Sequence, residues 1–98
     1  MRFFAWNAEK NAKLKAERGV SFEEAAFYIE NGGLLDVVDH PNAQDYPNQQ
    51  MFIVKIDAYA FLVPFVQSGD ECFLKTIIPN RKATRIYLGD GDEEIEAG

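Results

Sequence analysis

Cysteine and histidine are almost missing from this sequence, with Cys72 and His40 the only ones among 98 residues. A lone cysteine can neither close an internal disulfide nor build a thiolate metal site, so a stapled secreted scaffold is excluded and a reducing, cytoplasmic setting is expected. Long apolar runs are also lacking. The longest, 58–66, is too short to cross a bilayer and contains Pro64, and no basic-then-apolar export signal is present, so neither membrane insertion nor secretion is expected. The common catalytic signatures are absent as well: there is no glycine-rich phosphate loop, no CxxC pair, no HExxH and no nucleophile elbow. His40 opens a polar loop beside Pro41 and reads as a solvent-exposed residue, because a general base needs a positioned partner and a pocket. Asp36, Asp39 and Asp45 near it are scattered over strand and loop, so no metal and no cofactor are expected. Cys72 falls inside a strand pattern and reads as a small buried hydrophobe.

What is present is ordinary globular material: 47% hydrophobic, 13% aromatic and 27% charged residues. That composition excludes the low-hydrophobicity, high-charge class that stays disordered, and the length suits one domain, expected over 1–88, followed by an acidic, disordered tail over 89–98. The net charge of −6 argues, taken whole, against nonspecific attraction to nucleic acid. The charge is segregated, however. Residues 1–20 carry five bases against two acids, 21–72 nine acids against Lys55 alone, 73–88 four bases and no acid, and 89–98 five acids. Such segregation can present a local cationic surface despite an acidic total, although solvated basic helix faces would produce the same pattern.

The order of elements follows from local signals. Arg2 to Trp6 is aromatic without helical spacing and reads as a short strand. Asn7 then caps a helix over 8–18 that Gly19 ends, with Ala8, Ala12 and Leu14 or Ala16 as its buried candidates. Ser21-Phe22-Glu23-Glu24 is a capping box, and Phe22, Ala25, Ala26 and Ile29 form one apolar stripe of a second helix ending at Asn31-Gly32-Gly33. The two make a helical hairpin. Strands are expected over 34–39, 51–57, 59–66 and 71–78, with 40–50 a polar loop and Pro64 marking a bulge or an edge. Asn80 and Gly89 bracket a short last helix over 81–88 whose buried side would be Ala83, Ile86 and Tyr87, leaving Arg81, Arg85 and Leu88 exposed. The fold class is therefore α+β: an N-terminal helical hairpin packed on an antiparallel sheet of about four strands, with a short C-terminal helix.

The candidate chemistry lies in the cations around that last strand and helix: Lys75, Arg81, Lys82 and Arg85. Arg81 and Lys82 stand in a first helical turn, where cations oppose the positive end of the helix dipole at a cost of roughly 0.3–1 kcal/mol, so something other than helix stability favours them. A site of Arg and Lys can hold a phosphodiester and stabilise the extra charge of its pentacoordinate transition state. A ribonuclease that uses the substrate's own 2'-hydroxyl needs little more than this and a proton acceptor.

Three segments carry a resemblance: Phe4-Ala5-Trp6-Asn7-Ala8-Glu9-Lys10-Asn11, then Leu14 to Ala25 through Gly19-Val20-Ser21-Phe22-Glu23-Glu24, then Ile77-Ile78-Pro79-Asn80-Arg81-Lys82-Ala83-Thr84. Over residues 3–88 the chain resembles the BrnT-type toxins of bacterial type II toxin-antitoxin systems, whose fold is similar to that of the RelE and ParE toxins. The resemblance implies a small, metal-independent endoribonuclease that inhibits translation and is neutralised by a cognate antitoxin, commonly a ribbon-helix-helix protein. Trp6, Lys10, Asn11, Gly19, Arg81 and Lys82 match by position. The chain departs from the pattern in having Glu17-Arg18-Gly19 where the family often has Lys-His-Gly, and in turning acidic from Asp90. The implied roles are catalysis for Arg81, Lys82, Arg85 and Lys75, and RNA or ribosome binding for Lys10, Lys13 and Arg18. A toxin-family module that acts by protein contact without catalysis, and an unrelated small α+β protein, remain alternatives.

Overall fold

A computed structural model describes residues 2–89 and shows an α+β fold of three helices on a mixed sheet. The elements are β1 (Phe3–Ala5), α1 (Ala8–Arg18), α2 (Phe22–Glu30), β2 (Leu34–Asp39), β3 (Gln49–Ile56), β4 (Tyr59–Ser68), β5 (Glu71–Leu74), β6 (Ile78–Pro79) and α3 (Arg81–Leu88). The expected acidic tail from Asp90 onward lies outside the described residues. Each helix starts on the cap its sequence supplies: Asn7 accepts from the Lys10 amide, Ser21 and Glu24 form the reciprocal capping box, and Asn80 accepts from the Ala83 amide. Gly19 ends α1 in the left-handed conformation, at φ 70°.

The sheet differs from the expected antiparallel one of about four strands. Its strands run in the order β1-β5-β4-β3-β2, with β6 also beside β4, and β1 pairs with β5 in parallel. The β2–β3–β4–β5 succession is antiparallel, with two-residue turns joining β3 to β4 and β4 to β5 and the longer polar loop joining β2 to β3. β1 joins from across the chain, through pairs such as Phe4 with Cys72. The expected single strand over 71–78 is split into β5 and β6. The cause is Pro64: its carbonyl accepts from the Lys75 amide at 2.8 Å. In an antiparallel ladder a residue's N–H and C=O face the same neighbour, so the donor that proline lacks faces the stretch where the neighbouring strand breaks.

Two cores lie on the two sides of the sheet. Under α1 and α2 sit Leu14, Phe22, Ala25, Ile29, Phe52, Val54, Ile56, Val63, Phe65, Cys72, Leu74 and Ile77, joined by Val20 from the helix-helix connection. Phe52 and Phe65 stack there with ring centroids 3.9 Å apart. Alternation in the sequence points Phe52, Val54 and Ile56 to one face, as observed, but predicts a half-exposed strand with Lys55 and Asp57 on the other; instead Ile53 is buried on that face under α3 and Asp57 lies in the turn. Gly33 is needed for close approach, since a Cβ there would stand 2.8 Å from the Tyr28 Cβ and 3.0 Å from the Lys55 carbonyl oxygen.

On the opposite face, α3 covers Ile53, Ala60 and Ala83 with Leu35, Val38, Leu62, Tyr87 and Leu88 around them. Two corrections to the sequence expectations follow. Ile86 is 62% exposed and Leu88 packs instead, because an eight-residue helix has room for only one short seam and Leu88 completes it with Ala83 and Tyr87. In α1 the alanines are exposed, and the buried positions are Leu14 and the polar Asn11.

Candidate functional site

The segments that stand out in the sequence separate into residues that hold the fold and residues that do not. Trp6 stacks on Phe22 with centroids 5.8 Å apart, and Asn7 caps α1. Asn11, only 6% exposed, accepts from the Phe22 amide at 2.7 Å and donates to Glu23 at 2.8 Å, so one side chain satisfies an orphan donor of α2 and ties the helices together. Gly19 and the capping box complete the hairpin. Lys10 alone among the matching residues of this segment is exposed and makes no side-chain contact of this kind.

The second segment divides in the same way. Asn80 caps α3, and its own backbone N–H donates to Ala60. Thr84 donates to the Asn80 carbonyl and accepts from the Ala60 amide, each at 2.9 Å, which latches the start of α3 to the start of β4. Ala83 is small enough to lie against the sheet. Arg81 and Lys82, between these anchors, are exposed. No acid occupies the first turn of α3 to relieve its cations.

Lys75 leaves the sheet edge just before β6, its ammonium 5.8 Å from the centre of the Phe73 ring. Arg18, at the end of α1, donates to the Ile77 carbonyl. That bond, across 59 positions of sequence, brings the basic end of α1 to the chain segment that links Lys75 to Arg81. Lys10 and Lys13 are not part of this junction. At 1.5 Å per residue they lie about 12 and about 8 Å back along α1, on its exposed surface. Among the described residues one ion pair is found, Lys15 with Glu23 at 3.8 Å. Lys75, Arg81, Lys82 and Arg85 therefore have no described carboxylate within 4.0 Å.

The other polar groups are elsewhere. His40 packs on Tyr46 at 4.4 Å and accepts from the Asn42 amide through Nδ1, inside the loop between β2 and β3. Asp36 accepts from the Tyr87 hydroxyl at 2.7 Å, and that bond, with desolvation behind it, raises the phenol above its ordinary range. The Tyr87 hydroxyl is thereby a hydrogen-bond donor committed to Asp36. Asp45 accepts from Asn42 and Asp39 from Gln50, and no three metal-donor side chains cluster among the described residues. Burial, opposed by nearby Arg2, pushes the Cys72 thiol up.

Among the described residues, a shallow cavity of about 480 Å³ is lined by Arg2, Glu30, Gln67 and Asp70, and another of about 220 Å³ lies around Gly33, Lys55 and Asp57. Neither is lined by any of the cations above. Lys75, Arg81, Lys82 and Arg85 are each exposed, a placement suited to an extended anionic ligand more than to a small enclosed one. The sequence indicated Arg81, Lys82, Arg85 and Lys75 together. It did not indicate that Arg18 reaches Ile77, because nothing local marks a contact so distant in the chain. No family model, no curated protein and no solved structure matches the chain.

Proposed function

We propose that this chain is the toxin of a bacterial type II toxin-antitoxin pair, of the BrnT type and with a RelE/ParE-like arrangement, and that it acts as a metal-independent endoribonuclease. One observation carries the reading. Within the first and last of the three segments that resemble the family, Asn7, Asn11, Asn80, Ala83 and Thr84 each have a fold-holding contact, whereas the side chains of Lys10, Arg81 and Lys82 are exposed and have none. Arg81 and Lys82 moreover stand where the helix dipole disfavours them, so their value lies in what they bind.

In this reading Arg81, Lys82 and Arg85 take the scissile phosphate and Lys75 assists. The substrate's 2'-oxygen attacks phosphorus as its proton passes to a base, the bond to the 5'-oxygen breaks, and that oxygen takes up a proton. The guanidinium and ammonium groups stabilise the charge that accumulates on the nonbridging oxygens. Lys10, Lys13 and Arg18 hold RNA or ribosome farther along the chain. A ribbon-helix-helix antitoxin is the expected partner, covering the cations by charge complementarity.

A second reading, a toxin-family module that acts by contact, is favoured by one feature: the single imidazole, His40, is engaged in the β2–β3 loop and no other stands beside Arg81. Induced expression in a bacterium followed by mapping of RNA 5' ends separates the two. The ribonuclease reading expects growth arrest with discrete new ends, reduced roughly 10²- to 10³-fold by Arg81→Ala in a chain that keeps its melting temperature. Arrest with intact RNA would establish the contact reading, and normal growth with intact RNA would overturn both.

A further inference from the structure

The helices on the two sides of the sheet each carry an exposed apolar side chain, in surroundings of opposite charge. Ile86 of α3 and Phe27 of α2, 62% and 59% exposed, are the two most exposed large hydrophobic residues among those described. Residues three and four apart share a helix face, so Lys82 adjoins Ile86 and Arg81 adjoins Arg85, which is next to Ile86 in the chain. These three cations are exposed and have no described carboxylate within 4.0 Å. By the same spacing Phe27 lies between Glu23 and Glu24 on one side and Glu30 on the other, all three exposed, and α2 contains no base. Glu23 keeps its pair with Lys15 and Glu24 its place in the capping box, while Glu30 has no described cation within 4.0 Å.

The two faces cannot meet within one chain, because α2 and α3 cover opposite sides of the sheet. Between copies they can. With Ile86 of one copy over Phe27 of another, the cations reach carboxylates in either relative direction of the helices, since acids stand both before and after Phe27. Pairing α3 with α3, or α2 with α2, would instead bring like charges together. A contact between two different patches leaves one patch unused on each copy, so it repeats and forms an open chain of copies. Helices of nine and eight residues are about 14 and about 12 Å long, so each contact is small and of the transient class.

We propose that copies of this chain associate head to tail, the Phe27 face of α2 in one against the Ile86 face of α3 in the next, so that assembly covers Arg81, Lys82 and Arg85 in every copy but the last. The inference concerns how these two faces fit and stands apart from whether α3 cleaves RNA.

The test is sedimentation equilibrium of the full chain over roughly 10 μM to 1 mM, the range of a weak contact. At low salt the average mass should rise with concentration past two copies without a plateau, and at 1 M NaCl, where screening shortens to about 3 Å, it should fall back toward one copy. The Phe27→Ser, Glu30→Lys variant loses one face and the Lys82→Glu, Ile86→Ser variant loses the other. Each alone should remain a single copy with an unchanged melting temperature. Mixed, they should form a one-to-one pair and stop there, because each supplies the face that the other lacks, and this pairing shows that both are folded. A wild-type chain that stays single throughout, a plateau at two copies, growth past one copy in either variant alone, or a mixture that fails to pair would each overturn the proposal. Head-to-tail assembly of a chain that leaves bacterial growth and RNA untouched would keep this inference and sink the ribonuclease. An active ribonuclease that stays single would do the opposite.

Discussion

The two faces of the sheet are held in different ways. On the α1–α2 side thirteen buried residues form a continuous core, and the polar groups inside it are paired, Asn11 with the Phe22 amide and with Glu23. On the α3 side only Ile53, Ala60 and Ala83 are buried, and the helix depends on polar latches at Asn80, Thr84 and Tyr87. Apolar burial contributes roughly 25 cal/mol per Å², so the first face supplies most of the stability. The cations stand on the second. Placing exposed, mutually repelling charges on a lightly packed element costs the domain least there.

The largest effect should come from the heavier face. Phe22→Ala removes a fully buried ring stacked on Trp6 and should destabilise by about 3–5 kcal/mol, enough to unfold much of the population in a urea titration. Asn11→Ala follows. It strands the buried Phe22 amide and should cost roughly 1–3 kcal/mol, read as a lower urea midpoint with an unchanged slope. On the lighter face, Thr84→Val keeps the shape but leaves the Ala60 amide without its acceptor, and should cost about 1 kcal/mol. Its signature is faster hydrogen exchange at Ala60 with little change at Val63, and equal acceleration at both would erase the distinction between the faces.

The smallest effect is in pH, and it separates the faces by sign. Glu23 is held below its ordinary value of 4.5, first by the Asn11 hydrogen bond and then by its own backbone. A lowered folded pKa gives stability that is present above 4.5 and lost as pH falls through the folded value, so acid loosens the helical hairpin. Tyr87 is raised above its ordinary 10.0 by its bond to Asp36, so its contribution is complete below 10.0 and disappears as pH rises through the folded value. Alkali therefore loosens α3. Amide exchange followed at both ends of the pH range, in the wild type and in Tyr87→Phe, should show each face responding at its own end.

Local signals in the sequence reached the elements whose causes are local. Asn7, Gly19, Ser21 with Glu24, and Asn80 cap helices within a few residues of themselves, and the alternation through β3 identifies the face it turns to α1 and α2. The parallel pairing of β1 with β5 had no such signature, since a strand three residues long carries no information about a partner so far away. Asn11 reads as a surface residue because its partners come from the next helix. Ile86 reads as buried in the sequence because two turns of helix do not fix which side faces the sheet. For the cationic surface, charge and helix position sufficed to single out Arg81, Lys82 and Arg85, whereas the Arg18 tie to Ile77 depends on the finished fold.

The pairing of β1 with β5 also sets an order in time. Phe3 is made well before its partner Glu71 and the Asp70 carbonyl that accepts its amide. The helical hairpin and the strands from β2 to β4 can assemble through short connections while the chain is still growing, but the first strand has no neighbour until β5 has left the ribosome. The segment that bears Arg81 and Lys82 emerges later still. Completion of the sheet edge and display of the cationic helix thus both wait on segments made after the helical hairpin and the strands from β2 to β4.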